Sequence, residues 1–258
     1  MQGLILKDDA RYYYTEAYLK RHGYVFCEIN ASPESLDFII FPFMAEIDAD
    51  TYNDNYFSSL RSDVVIFSGL RNEYLAKKCE DYNLSYHVMT SAKEVQIKNA
   101  VPTSEGVIAH LIANRIDTIS DSRILIIGYG VCGSDLAKKL SALGADVYAL
   151  VRNKEKENAA RADSVKPIYL DKFIGDSEFD VIINTVPSRV LTNEMLENTA
   201  GALLIDIASK PYGFDMEYAK KINEKSTILS GIPGKYALRT AGEILGDFIR
   251  AIIRRRLN

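Results

Sequence analysis

At 258 residues the chain can bury a good core, as one large domain or as two smaller ones. Its 47% hydrophobic and 26% charged residues are those of an ordinary globular protein, and a net charge of −4 argues against a general nucleic-acid binder. No apolar run reaches the length of a membrane span, and Lys7, Asp8, Asp9, Arg11, Glu16 and Lys20 are unlike a secretory leader. Cys27, Cys79 and Cys132 have no metal-ligand spacing and suit reduced thiols. The expectation is a cytoplasmic protein with no metal, nucleic acid or membrane among its partners.

In chain order, Leu4-Ile5-Leu6 reads as a strand, 12–21 as a helix and Tyr24-Val25-Phe26 as a second strand. Phe38-Ile39-Ile40-Phe41 and Val64-Val65-Ile66-Phe67 are short and wholly apolar, as parallel strands buried on both faces are. A helix over 72–81 and a strand over 85–88 complete this unit. Pro102 suits a first helical position, so a helix is predicted from there to about Arg115, linking two domains. Beyond it, strands are predicted over 124–127, 146–151, near Ile168, and over 181–184, 203–206 and 227–229. A helix over 134–143 carries Leu136, Ala137, Leu140 and Leu143 on one face. In the last helix, Ala241, Ile244, Leu245, Phe248, Ile249, Ile252 and Ile253 recur at helical spacing and predict packing back on the first domain.

Strands alternating with helices predict an α/β protein of two doubly wound parallel-sheet domains, the second of Rossmann type. The predicted division is 1–100 for the first domain, 101–120 for the linking helix, 121–235 for the dinucleotide-binding domain and 236–258 for the C-terminal helix.

The segment Gly128-Tyr129-Gly130-Val131-Cys132-Gly133 follows a predicted strand and precedes a predicted helix. A first glycine permits the tight turn, a second lets backbone approach a pyrophosphate, and a third allows close packing of helix and strand. The helix N-terminus supplies free N–H groups for the phosphates. An NAD-selecting site usually ends its next strand with an acid that accepts from the ribose hydroxyls. Here Arg152 and Asn153 stand there, followed by Lys154, which favours NADP and leaves NAD as the second choice. Cys132 is read as a small residue tolerated beside the phosphates. The strand-end loops 185–189, 206–211 and 230–235 are read as walls of a ligand cleft, with Thr185, Val186 and Pro187 on the cofactor.

The chain resembles the dipicolinate synthase A-subunit family of spore-forming bacteria across nearly its whole length. The similar segments are Phe67-Ser68-Gly69-Leu70, Asn99-Ala100-Val101-Pro102-Thr103-Ser104-Glu105-Gly106, Asn184-Thr185-Val186-Pro187-Ser188, Asp206-Ile207-Ala208-Ser209-Lys210-Pro211 and Gly231-Ile232-Pro233-Gly234, followed by Thr240-Ala241-Gly242. Two departures stand out. A Gly-Gly-Asp-x-Arg pattern appears as Lys7-Asp8-Asp9-Ala10-Arg11, and Ala-Pro-Lys-Thr-Ala-Gly appears as Ala237-Leu238-Arg239-Thr240-Ala241-Gly242.

The resemblance implies an oxidoreductase that converts dihydrodipicolinate, or its hydrated precursor, to dipicolinate, with hydride passing to a nicotinamide cofactor. It also implies, as partner, the flavoprotein-like B subunit of dipicolinate synthase, and the mother-cell cytoplasm as the place of action. Self-association into a homo-oligomer is compatible with the sequence. A small dicarboxylate asks for cations, and arginine holds carboxylates with paired hydrogen bonds. Arg11, Arg189, Lys210 and Arg239 are the candidates, with Ser68, Asn99 and Ser188 as hydrogen-bonding neighbours. Glu105 and Asp206 are candidate proton acceptors, with Thr103 beside them. Two alternatives stay open: a nucleotide-binding regulatory or scaffold subunit without turnover, and a shikimate-dehydrogenase-like NADP oxidoreductase. A D-hydroxyacid dehydrogenase needs a base histidine after the glycine turn, whereas His22, His87 and His110 all precede it.

Overall fold

The computed structural model describes residues 1–114, 117–199 and 201–257. The chain forms two compact units, one of Met1–Asn99 with Ala237–Asn258 and one of Ala100–Tyr236.

The first unit contains β1 (Gln2–Ile5), α1 (Arg11–Arg21), β2 (Val25–Phe26), β3 (Phe38–Ile40), α2 (Asp54–Ser58), β4 (Val65–Ser68), α3 (Glu73–Asp81) and β5 (Ser85–Val88). The five strands are all parallel in the order β2-β1-β3-β4-β5, with Leu4 opposite Ile39 and Ile39 opposite Ile66. The period of two divides the apolar runs between two cores. Phe38, Ile40, Val65 and Phe67 face one, with Tyr12 and Leu19 of α1. Ile39, Phe41, Val64 and Ile66 face the other, with Phe57 and Leu75. Burial on both faces is why these strands show no polar alternation.

The unit boundary falls inside α4 (Lys93–Asn114). This helix starts nine residues before Pro102, which lies in its interior rather than in its first turn. A proline inside a helix costs about 3 kcal/mol. The helix also buries Val95, Val107 and Leu111, and each such side chain contributes roughly 1.5–3 kcal/mol, which outweighs that loss. Arg115, the predicted end of the linking helix, lies outside the described residues.

The second unit contains β6 (Arg123–Ile127), α5 (Val131–Ala142), β7 (Asp146–Val151), α6 (Lys154–Ala162), β8 (Lys166–Tyr169), β9 (Val181–Asn184), α7 (Asn193–Glu197), β10 (Leu203–Asp206), α8 (Met216–Ile222), β11 (Thr227–Ile228) and α9 (Ile232–Tyr236). Its parallel sheet runs β11-β10-β9-β6-β7-β8, the strand order of a Rossmann domain. Ile124 and Ile126 point into one core, Leu125 and Ile127 into the other. The predicted helix over 134–143 begins at Val131, because Gly130 serves as its cap. The expected loop over 230–235 contains α9, entered through Gly231 at φ +63°. Helices α2, α6, α7 and α8 have no counterpart in the sequence reading.

Helix α10 (Leu238–Leu257) belongs to the first unit, as its apolar face predicts. Leu245, Phe248, Ile249 and Ile253 enter the core with Tyr12 and Leu19. Where α10 crosses α1, a Cβ on Gly242 would lie 2.4 Å from the Arg11 carbonyl oxygen. The Thr15 hydroxyl donates to the Gly242 carbonyl at 2.9 Å across the same contact. Backbone cannot retreat as a side-chain tip can. Gly242→Ala is expected to destabilise the fold by about 1–3 kcal/mol through overpacking, read as a lower urea midpoint at unchanged slope.

Candidate functional site

The site is built where β6 ends. Gly128 turns the chain at φ +91°, a conformation that other residues rarely adopt, and a Cβ there would also meet Val186 at 2.4 Å. A Cβ on Gly133 would lie 2.2 Å from the Gly128 carbonyl oxygen, so only glycine lets α5 begin this close to the strand. Gly130 differs from both: nothing lies within 4 Å of its virtual Cβ. The turn is thus packed on its inner side and open at the position where a pyrophosphate needs bare backbone. Of the residues between, Val131 is exposed, while Tyr129 is buried and its hydroxyl donates to Asp163 Oδ2 at 2.8 Å. Only the backbone of Tyr129 is therefore offered to a ligand in that arrangement. Cys132 is half-buried, and burial raises its pKa, so it is not an activated thiolate.

A cavity of about 430 Å³ opens beside this turn. Its walls are Ile127 to Gly130, Leu150 to Arg152, Lys156, Leu170, Met195 and the loop from Thr185 to Val190. These residues follow β6, β7 and β9, at the point where strand order reverses, which is where open α/β sheets bind ligands. The structure therefore gathers Gly128, Tyr129, Gly130, Arg152, Thr185, Val186, Pro187, Ser188 and Arg189 around one space.

Hydrogen bonds fix that loop. Thr185 Oγ1 donates to the Ile127 carbonyl at 2.9 Å. Asn184 Nδ2 donates to the Val186 carbonyl at 2.9 Å and to Asp206 Oδ2 at 3.0 Å. Asp206 also accepts from the Gly213 amide at 2.6 Å and the Ala208 amide at 2.9 Å. Its side chain has no exposed surface, and burial raises its pKa despite these donors. The expectation that Asp206 is a proton acceptor gives way to a structural role, because an enclosed carboxylate tied to three donors does not reach a ligand.

Arg152 is exposed at the end of β7, and among the described residues no carboxylate pairs with it. Asn153, expected on the cofactor, caps α6 by accepting from the Lys156 amide at 3.0 Å. Glu157, only 6% exposed, accepts from Tyr169 at 2.6 Å, Lys154 at 2.9 Å and Arg161 at 3.0 Å. These donors hold its carboxyl at about 2.

The remaining candidates differ in what they offer. Arg189 is exposed, with Asp215 at 3.7 Å. Lys210 is exposed and does not line this cavity. On α4, Thr103 is half-buried and Glu105 is exposed, 4.0 Å from Lys139. In the first unit, Arg11 donates to both oxygens of Asp9 at 2.7 Å and stacks 3.6 Å from the Phe43 ring centre. The Asp8 carboxylate accepts from the amides of Phe43, Met44 and Ala45. Ser68, expected on the substrate, is fully buried and donates to the Leu70 carbonyl at 2.6 Å, which removes it from ligand contact. Asn99 is half-buried on α4, and Arg239 is exposed with Glu243 at 3.3 Å. Sequence reasoning missed Lys156, Leu170 and Met195. The signal for Lys156 was Asn153 as a helix cap, which sets Lys156 in the first turn of a helix.

Among the described residues no group of three or more His, Cys, Asp or Glu side chains is placed to hold a metal, and no helix is long and apolar enough to cross a membrane.

Residues 87–206 match the D-isomer specific 2-hydroxyacid dehydrogenase, NAD binding domain family. The A subunit of dipicolinate synthase from Bacillus subtilis (strain 168) is 31% identical over 245 residues, spanning 90% of this chain and 82% of that protein. The crystal structure of the dipicolinate synthase A chain from Bacillus subtilis superposes with a TM-score of 0.89 at 26% identity, over 100% of this chain and 97% of that one. The corresponding dipicolinate synthase structure from Bacillus halodurans gives 0.88 at 25% identity, over 98% and 97%.

Two outcomes test this site. Gly130→Val is expected to fold, since its side chain meets open space, and to lose nucleotide binding in a fluorescence titration. Gly133→Val is expected to lose stability as well, since its side chain meets backbone. Normal nucleotide affinity in folded Gly130→Val refutes the assigned turn. A third concerns pH. The Glu157 carboxyl falls from 4.5 to about 2 in the folded state, so its contribution is present above pH 4.5 and lost as pH falls toward 2. Melting temperatures of Glu157→Gln should accordingly depend less on pH across that window than those of the unaltered protein.

Proposed function

The chain belongs to the dipicolinate synthase A-subunit family, and from that premise we propose that it is an NADP-dependent oxidoreductase subunit converting dihydrodipicolinate, or its hydrated precursor, to dipicolinate. The observation that carries the reading is the cavity at the ends of β6, β7 and β9, with an open glycine turn at one wall and Arg152 at another.

A nicotinamide dinucleotide bound there supplies a hydride acceptor. Dihydrodipicolinate loses that hydride and one proton and becomes aromatic, and the hydrated precursor first gives up a water molecule, which balances the step for either substrate. In this reading the backbone at Gly128 and Gly130 and the first turn of α5 hold the pyrophosphate. Arg152 takes a ribose phosphate through a charge-assisted hydrogen bond. Ser188 and Arg189, on the wall of the same cavity, orient a substrate carboxylate, and Lys210, in the same unit, is a further cation for a dianion. Glu105 is the proton acceptor of this reading, since it is exposed where Asp206 is enclosed. The partner is the flavoprotein-like B subunit. A scaffold reading without turnover is favoured by one observation: where the family pattern has a glycine, Asp8 ties its carboxylate to the amides of Phe43, Met44 and Ala45 and so alters the turn before Arg11.

NADP is expected to bind more tightly than NAD, and Arg152→Ala to weaken NADP by about 1.5–3 kcal/mol. Equal affinities for the two nucleotides in the unaltered protein contradict this. Steady-state rates with dihydrodipicolinate decide the reaction. The chain alone is expected to be slow or inactive, and the flavoprotein-like partner at equimolar concentration to raise the rate at least about tenfold, or roughly 1.4 kcal/mol of barrier. No turnover with the partner present favours the scaffold.

A further inference from the structure

Three cations follow β7 at alternate positions: Arg152, Lys154 and Lys156. Sequence alone does not say which of them meet a nucleotide. We propose that Lys156, and not Lys154, joins Arg152 in recognising a phosphate on the adenosine ribose, so that this pair sets the preference for a 2′-phosphorylated dinucleotide. The inference rests on the NADP reading and names a specificity residue within it.

The structure divides the three. Arg152 and Lys156 both line the cavity, and Lys154 does not. Lys154 Nζ is bound to Glu157 Oε2 at 2.9 Å, on a carboxylate that also holds Arg161 and Tyr169. That carboxylate is nearly buried and its donors keep it ionised, so Lys154, though itself exposed, spends its ammonium on Glu157 and stands off the cavity wall.

Lys156 is held differently. Its amide donates to Asn153 Oδ1 at 3.0 Å, which pins the first turn of α6 and the backbone from which the side chain springs. Its present partner is Glu155, its neighbour in sequence, at 3.2 Å. Both side chains are exposed, 41% and 79%. An exposed pair of this kind contributes about 0–1 kcal/mol, so a phosphate with more than one negative charge and three acceptor oxygens displaces it readily. A cation four residues after Arg152, in the first turn of α6, gives the phosphate a second donor set at one wall of the cavity.

The acids nearby complete the discrimination. An NAD site needs a free carboxylate to accept from the two ribose hydroxyls. Glu157 is consumed by three donors, and Glu155 does not line the cavity. The wall after β7 therefore presents cations where an NAD site presents an acceptor.

The test is calorimetric titration of the whole chain with NADP, NAD, 2′,5′-ADP and 5′-ADP, for the unaltered protein and for Lys156→Gln, Lys154→Gln and Arg152→Gln. Each variant is first checked for folding by circular dichroism. Lys156→Gln is expected to weaken NADP and 2′,5′-ADP about tenfold and leave NAD and 5′-ADP unchanged. Lys154→Gln is expected to leave the NADP-to-NAD ratio as it was, even where it lowers the melting temperature. If Arg152→Gln collapses the ratio and Lys156→Gln keeps it, the NADP reading stands and the role of Lys156 is refuted. A shift in the ratio for Lys154→Gln instead of Lys156→Gln overturns the assignment between the two lysines. An unaltered protein with no preference for NADP refutes the underlying reading, and this inference with it.

Discussion

The contact between Gly133 and the Gly128 carbonyl oxygen governs the second unit. A virtual Cβ at 2.2 Å from that oxygen means that α5 starts as close to β6 as backbone permits. Free N–H groups at a helix start are a directional resource, useful only where the chain brings them to a ligand. The close approach brings them to the mouth of the sheet. With a larger residue at 133 the helix would retreat from the left-handed turn at Gly128 and from the bare backbone at Gly130.

The opposite wall of the cavity depends on a second constraint, the buried carboxylate of Asp206. It accepts from Asn184 and from the amides of Ala208 and Gly213, and Asn184 in turn holds the amide and carbonyl of Val186. A buried carboxylate with too few partners would cost several kcal/mol, so this network holds together or fails as a unit. Its effect is to set the loop after β9 at a fixed distance from the glycine turn. Asp206 looks like a proton acceptor when read as a residue and is part of the loop's support when read by its contacts.

The first unit shows a different economy of charge. Asp8 spends its carboxylate on three successive loop amides, and Asp9 spends its own on Arg11, whose guanidinium rests on the Phe43 ring. These interactions fix the loop after β3 against the start of α1. Helix α10 then locks α1 from its other side through Gly242 and Thr15, which is why the last residues of the chain belong with the first.

The α/β class, the parallel strands, the glycine turn and the return of the last helix were all legible in the sequence. Each is written in local terms: apolar runs, a period of 3.6, a spacing of three glycines. The reading lost accuracy where packing outvotes local preference. Pro102 sits inside α4 because apolar burial on that helix exceeds the cost of a proline, a comparison that no residue-level rule contains. Helix α6 escaped notice because its charged face hides the buried Ala160 and Glu157. With α6 unseen, the sequence reading sets Arg152 and Asn153 together on the cofactor, with Lys154 following. Only the tertiary structure decided that Asn153 is a cap, that Lys154 serves Glu157 and that Lys156 reaches the cavity wall, because a side chain's partner depends on its neighbours across the fold. The same holds for Asp206 and Ser68, whose polar atoms the sequence offers equally to a ligand and to the protein, and whose burial assigns them to the protein.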